Sequence, residues 1–472
     1  MKKLMVVGCI LSFIAIFLAF YNKIAENEAR ERLRNILVGL LKVERRHSII
    51  NPQVAIGYGS CMDLVFEALD LQLFNCSKSI MGTQETITSL EELEEAFCYY
   101  FQHGAASEQF TPNGLLFEEL VEKVQLLKSF RASVGGNAAM IGRRFALSGF
   151  DVLLATSASR EFKKLLPDNV KIAGEVTDTD DIHLIFEYKA GDKCGPFVAP
   201  RANRFILHHD VHNPEFTSIR MFEERLKEFH PHLFVVSGLQ ILDSMPLEDD
   251  SVDRKLTQIS QQMQSQPEST KVHFEMASVS EKILLMKMMK FIVPYANSLG
   301  MNEQEIANLH GMLKNDEVTK AVDSNPRIDT MLDMMRFVFS NLQENRSSIP
   351  KSQPLTRLHM HTLAYQIVMV SVTSDWIDSD VAAARASLIA NLYVCDTPQV
   401  DLAKSKLEMD LAFAISSKPG SPILMLDERE PVTCWNETLY HVCISPNIVC
   451  THVRQTAGCG DNVSAAGLTA QV

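Results

Sequence analysis

Clusters of Lys and Arg are missing from this sequence. It carries 45 basic against 58 acidic residues, a net charge of -13 and an isoelectric point near 5.6. Nucleic-acid phosphates are held by grouped basic side chains, so a chain whose main task is to bind DNA or RNA is excluded. The ten cysteines (Cys9, Cys61, Cys76, Cys98, Cys194, Cys395, Cys434, Cys443, Cys450, Cys459) include no C-x-x-C pair and no zinc-type spacing, which removes a cysteine metal site. Internal repeats of fixed period and low-complexity tracts are also lacking. What remains is a chain of 472 residues, 46% hydrophobic and 22% charged, long enough for one large domain and a smaller one.

The N-terminus is Met1-Lys2-Lys3 followed by an uncharged, mostly apolar run from Leu4 to Phe20. That length lies between a signal-peptide core and a membrane span, so residues 1–22 are a signal peptide or signal anchor. An uncleaved anchor is favoured, because Phe20, Tyr21 and Asn22 follow Ala19 where a cleavage site needs small residues. The basic start places the remainder in the lumen of the endoplasmic reticulum, or outside the cell if the segment is removed. Sequons at Asn75, Asn345 and Asn436 suit that compartment. There Cys434 and Cys443 could close a short loop, the alternative being buried free thiols.

Residues 23–50 read as a charged linker or helix, and residues 51–472 as the folded body. Apolar strand patterns occur at Val54–Tyr58, Asp151–Ala155, Ile182–Tyr188, Arg204–His208, Leu233–Ser237, Lys271–Met276 and Tyr295–Leu299, alternating with amphipathic helices such as Ser89–Phe101 and Gly114–Phe130. Such alternation predicts an α/β fold with a parallel sheet flanked by helices. The segments 65–130 and 180–208 interrupt the rhythm and are candidates for a lid. The polar stretch Glu248–Thr270 reads as a surface helix or loop.

The last segment, Ala457-Gly458-Cys459-Gly460-Asp461-Asn462-Val463-Ser464, carries the densest chemistry. Its glycines let backbone approach closely, and the small residues after Asp461 begin a helix whose free N–H groups face an anion. An acid at that position can act as base on a substrate hydroxyl; an ordinary turn with an Asp cap fits the same pattern. Asn302-Glu303-Gln304-Glu305 opens a helix after a predicted strand, where ligands of open α/β sheets collect. A carboxylate there that reaches through water suits magnesium, and a plain helix-start acid reads equally well. His273-Phe274-Glu275 places His273 and Glu275 on one strand face, as a solvated face also would.

Taken together, the N-x-x-E, H-x-E and G-x-G-D patterns resemble the signatures of the ADP-dependent sugar kinases. The likeness extends over most of the chain after about residue 50 and includes Val134-Gly135-Gly136-Asn137, Ala202-Asn203-Arg204-Phe205, Val236-Ser237-Gly238-Leu239 and His359-Met360-His361. The resemblance implies a ribokinase-like open sheet with a smaller lid domain, and transfer of the β-phosphoryl of ADP to the 6-hydroxyl of D-glucose with Mg2+, leaving AMP. By the same resemblance Asp461 is the base and Arg204 steadies the transferring group. Gly458, Cys459 and Gly460 form the anion hole, and Glu275, Asn302 and Glu305 organise the metal. Asp63, placed at the end of the first strand, binds sugar with Glu108, Gly135, Gly136 and Asn137. A monomer is expected, with contact to a membrane through the N-terminal segment only.

Fructose 6-phosphate is the rival acceptor, and it would require extra Lys or Arg that the loop at Gly135–Asn137 and the lid do not show. A catalytically silent binding protein is the rival of a different class. It draws on Gly59, which stands where the family usually has Asn. The sequon at Asn462 overlaps the site and is expected to be unmodified. His208-His209-Asp210-Val211-His212 reads as structural, since strand neighbours face opposite ways. His359 and His361 share a face but show no nearby carboxylate in sequence, so their reading is structural or as stacking near a nucleotide. Ser278-Val279-Ser280-Glu281 reads as a capping box ahead of the Met-rich helix Leu284–Met289.

Overall fold

The computed structural model describes residues 2–46, 52–77, 86–245, 250–277, 279, 281–314, 325–346 and 348–472. Strands such as Gln53–Gly57 and Leu233–Val236 are buried along nearly their whole length, as expected when both faces of a sheet are covered. Ten of them form one sheet, in the order of first residues 433, 440, 365, 357, 298, 271, 233, 53, 151, 170. The seven from 357 to 170 run parallel, and the other three pair antiparallel at one edge. Period-two alternation sorts the side chains into two cores. Val54, Ile56, Leu233 and Val235 point to one, under the helices Asn137–Leu147, Ser379–Cys395 and Cys459–Leu468; Ala55, Phe234 and Val236 point to the other.

A second sheet of five strands, ordered by first residue 107, 203, 182, 61, 131, forms the lid. The helices Leu90–His103 and Gly114–Gln125 cover one of its faces through a third core that includes Phe66, Phe97, Phe186 and Phe205. Its first strand begins at Cys61 and the 131 strand ends at Gly135, so the lid is wider than 65–130. Two crossings between body and lid press together. Gly136 has φ +78°, and a Cβ there would lie 2.6 Å from the Gly59 carbonyl oxygen. Gly59 has φ +80°, with Gly238 Cα 3.2 Å from its would-be Cβ. Any larger residue at 59 would be strained in backbone as well as crowded.

Several boundaries differ from expectation. The strand expected at Tyr295–Leu299 is Ser298–Asn302, because Pro294 sets a short 3-10 turn at Val293–Tyr295 first. The helix expected to reach Phe130 ends at Gln125, and the polar stretch contains the helix Asp250–Gln264. Ser278 and Ser280 lie outside the described residues; the helix Lys282–Phe291 starts after Glu281, whose side chain makes no cap bond. Asp63 is not at the end of the first strand. It lies within Cys61–Glu67, in the lid sheet.

Among the described residues there are three disulfides: Cys76–Cys98, Cys395–Cys450 and Cys434–Cys443. Cys61 and Cys194 are buried free thiols, and Cys459 is a half-buried one. Asn75, Asn345 and Asn436 are exposed, whereas Asn462 is 1% exposed and bonded to Arg144 and to the Gly458 carbonyl.

Lys2–Glu44 forms one helix. Most side chains of the apolar run lie outside the described residues, and among the described residues no helix is long and apolar enough to cross a membrane. The stretch expected as a charged linker or helix continues this helix to Glu44 and docks on the body. Leu33, Ile36, Leu40 and Val43 recur at three- and four-residue spacing and are buried in the core beneath Ser379–Cys395. Ion pairs Arg32–Glu428 (2.7 Å) and Arg46–Asp380 (2.8 Å) flank the contact. Leu40→Ala should therefore cost about 2–4 kcal/mol, read from the midpoint of urea unfolding. An unchanged midpoint would show that the helix only rests on the surface.

Candidate active site

The parallel strands Lys271–Glu275, Ser298–Asn302 and Arg357–His361 end side by side, and the N-terminus of Cys459–Leu468 meets them there. Glu275 pairs in register with Gly300. A Cβ at Gly300 would lie 1.9 Å from Glu275 Oε2, so glycine is what lets that carboxylate lie across the neighbouring strand. His273 Nε2 is 2.9 Å from Glu275 Oε2, with its Nδ1 2.8 Å from Ser298 Oγ, and His361 Nε2 is 3.6 Å from Glu275 Oε1. Burial would raise the Glu275 carboxyl, but the hydrogen bonds and charges of the two histidines hold it at about 2. His361 thus has the carboxylate neighbour that its sequence context did not reveal, while His359 is buried against Gln366.

Asn302 and Glu305 form a reciprocal cap. The Asn302 side chain accepts from the N–H groups of Gln304 and Glu305 at 2.9 Å, and Glu305 accepts from the Asn302 backbone N–H (2.8 Å) and Nδ2 (2.9 Å). Burial pushes the Glu305 carboxyl up to about 7; His361 and the Asn302 N–H oppose this and Glu275 adds to it. Ser464 Oγ, close to Glu275 across Gly300, is buried without a hydrogen-bond partner. A low carboxylate, a raised one and an orphaned hydroxyl are together a donor set that a hard divalent cation fits, since its charge would offset the repulsion between Glu275 and Glu305.

Gly458, at φ +71°, precedes the final helix without a side-chain cap; the Cys459 N–H bonds back to the Thr456 carbonyl, and the N–H groups of Gly460 and Asp461 are left open. Asp461 sits in that turn. Its Oδ1 accepts from Asn137 Nδ2 at 2.9 Å, and Asn137 Oδ1 accepts from Gln240 Nε2 at 2.6 Å. Burial, with added repulsion from Glu275 and Glu305, pushes the Asp461 carboxyl up to about 8 against the pull of Asn137 and His361. Arg204, from the lid strand Asn203–His208, lies near enough to Cys459 to act on its thiol, and its Nε is buried and unpartnered. An anion at the helix start would meet that guanidinium.

On the lid, a Cβ at Gly135 would fall 1.8 Å from Asp63 Oδ1, so glycine makes the space for this carboxylate. Burial raises Asp63 to about 6, opposed by His183. His183 Nδ1 is 3.9 Å from Glu108 Oε1 and its Nε2 2.9 Å from Asp210 Oδ1. Burial opposes its protonation, yet Asp210, Glu108 and Asp63 raise it to about 10, and Asp210 is in turn held well below the ordinary carboxylate range. Within the His208–His212 run, His208 joins His183 and Asp210, while His209 faces the other way onto Phe110 and Phe117. Sequence reading missed His183, Gln240 and His361. His183 was legible only as an alternate position of a recognised strand, and Gln240 comes from a short 3-10 turn with no pattern of its own.

A family described as "ADP-specific Phosphofructokinase/Glucokinase conserved region" matches residues 52–470. The ADP-dependent glucokinase of Bos taurus is 31% identical over 88% of this chain and 84% of its own length. The probable ADP-dependent glucokinase of Caenorhabditis elegans is 26% identical over the same shares. Among solved structures, an ADP-dependent kinase in complex with fructose-6-phosphate and ADPβS superposes with a TM-score of 0.66 at 19% identity, covering 93% of this chain and 97% of that one. The fold is therefore ribokinase-like.

A carboxyl raised from 3.8 to about 8 adds stability below its unfolded value and loses it as pH climbs through its folded one. Asparagine has no such dependence. Asp461→Asn should gain on the parent as pH rises from 5 to 9, by on the order of a few degrees in melting temperature. A difference that does not change with pH would place the Asp461 pKa near that of an exposed carboxyl.

Proposed function

Because the chain belongs to the family of ADP-specific phosphofructokinases and glucokinases, we propose that it is an ADP-dependent glucokinase, forming AMP and glucose 6-phosphate. The observation that carries this reading is Asp461 at the start of the last helix, bonded to Asn137 beside the Gly135–Gly136 crossing, with Arg204 in electrostatic reach of Cys459 in the same turn. The glucokinase relatives support glucose as acceptor. So does the lid, where Asp63 and Glu108 bring negative charge that suits a neutral sugar and opposes a sugar phosphate.

In this reading Asp63, Glu108 and His183 hold sugar hydroxyls, and the lid sheet excludes water from the cleft. Asp461 takes the proton of the 6-hydroxyl as that oxygen bonds to the β-phosphorus and the bond to the AMP oxygen breaks. The N–H groups at Gly458–Gly460 and the Arg204 guanidinium stabilise the charge on the phosphoryl oxygens. Mg2+ held by Glu275, Glu305 and Asn302 would supply positive charge to the same oxygens. Removal of the hydroxyl proton needs ionised Asp461, so the acidic limb of the rate profile should lie above that of an ordinary aspartate.

A matrix of ADP or ATP against glucose or fructose 6-phosphate, with magnesium or with chelator, tests the assignment. Glucose 6-phosphate should form with ADP, glucose and magnesium, and fall by at least about 10²-fold in Asp461→Asn while ligand affinity changes by less than about tenfold. Product with ATP alone, turnover in chelator, or a variant within a few fold of the parent would each overturn the corresponding assignment.

We further propose that the N-terminal segment delivers the body to the lumen of the endoplasmic reticulum, with glycans at the exposed Asn75, Asn345 and Asn436. The three disulfides support an oxidising compartment. The body should resist protease in sealed microsomes and shift in mobility with a deglycosylase. Full digestion in sealed vesicles would place it in the cytosol.

A further inference from the structure

The phosphate cradle is held from both sides of the cleft. On the body side, the end of the helix Ser379–Cys395 fixes the segment that leads into the last helix. Tyr393 Oη donates to the Ala457 carbonyl (2.6 Å), the Arg454 N–H donates to the Val394 carbonyl (2.8 Å), and Gln455 Nε2 donates to the Tyr393 carbonyl (2.9 Å). Ala457 immediately precedes Gly458, so the carbonyl gripped by Tyr393 belongs to the peptide that sets the first turn.

On the lid side, Val65, Ile185 and Ile206 form an apolar patch against which Ala457 packs. Beyond it lies Glu187, which pairs in register with Arg204 across two antiparallel strands, so both side chains share the cleft face. Glu187 Oε1 accepts from the Thr456 N–H at 3.4 Å, and Arg131 is 3.9 Å from its other oxygen. The Cys459 N–H returns to the Thr456 carbonyl at 3.4 Å. The peptide joining residues 455 and 456 is therefore tied to the lid, and the one joining 457 and 458 to the body. A cavity of about 180 Å³ remains beside this contact, lined in part by Glu187, Arg131, Asn203, Arg454 and Thr456, and Thr456 Oγ1 is buried without a partner. Glu187 is half-buried, its side chain 18% exposed, and burial raises its carboxyl to about 7 against the pull of Arg131.

We propose that Glu187 is a positioning residue which couples the lid to the phosphate cradle. With the lid over the sugar, its carboxylate holds the Thr456 N–H, fixes the Thr456–Gly458 segment against Tyr393, and so sets the open N–H group of Gly460 for the nucleotide's phosphate. Glu187 touches neither sugar nor phosphate. The consequence is positive coupling, in which glucose bound under the lid tightens the nucleotide site. This rests on the assignment of the cradle and of glucose made above.

The test uses the full chain, with Glu187→Ala, which removes the acceptor, and Glu187→Gln, which keeps an acceptor without charge. AMP affinity is measured by calorimetry with and without glucose, alongside steady-state rates. In the parent, glucose should strengthen AMP binding. In Glu187→Ala that ratio should fall to within about twofold of unity. The KM for ADP should rise about fivefold, the KM for glucose should stay within about twofold, and the melting temperature should hold within about 2 °C. Glu187→Gln should recover most of the ratio. An active parent whose Glu187→Ala variant keeps the full ratio overturns the coupling alone, as does an equal rise of both KM values with a lowered melting temperature. A parent that does not phosphorylate glucose removes the functional assignment and the coupling with it.

Discussion

Three carboxyl groups, those of Glu275, Glu305 and Asp461, lie buried within electrostatic reach of one another at the end of the large sheet. Like charges so placed cannot all ionise freely, and the surrounding structure separates them. His273 and His361 keep Glu275 ionised, the cap with Asn302 holds Glu305, and Asp461 is left with a single amide donor. The divergence from about 2 to about 8 suits the roles proposed above: one permanent negative charge, one group ready to ionise beside a cation, one proton acceptor. Strand order makes this possible, because three neighbouring parallel strands deliver their terminal residues to one place.

The lid answers a different problem. In the proposed reading, a polar sugar pocket facing a polar phosphate pocket must open for solvent and close without it. The two crossings at Gly59 and Gly136 touch each other, and their positive φ values are available to glycine at little cost. Across the lid sheet the cleft face changes character along each strand, from Asp63 and His183 near the crossings, through Val65 and Ile185, to Glu187 at the far end. Two polar zones are separated by an apolar one that packs on Ala457.

Much of this was legible in the sequence. Strands with long apolar runs and the three short patterns ending at Glu275, Glu305 and Asp461 stood out, since periodicity and local spacing are local properties. The error over Asp63 has a physical source. The turn between Gly57 and Cys61 separates two short apolar strands, and one run of hydrophobic residues concealed the passage from one sheet to another. His361 and His183 escaped because their partners are remote in sequence, Glu275 two strands away in the sheet and Asp210 just past the paired strand Asn203–His208. Of the three disulfides only the pair nine residues apart was suggested by spacing; the other two close longer loops whose ends only the fold brings together.

The docked first helix has a mechanical meaning. It runs unbroken over 43 residues, about 65 Å at the rise of an α-helix. Its final turns are locked into the body through Leu33, Ile36, Leu40 and Val43. A chain joined to a surface by a coil can turn freely, with its cleft facing any direction. One joined by a rod embedded at its base has fewer orientations, so whatever holds the tip of this helix also aims the mouth of the cleft, and substrates would arrive from a preferred side.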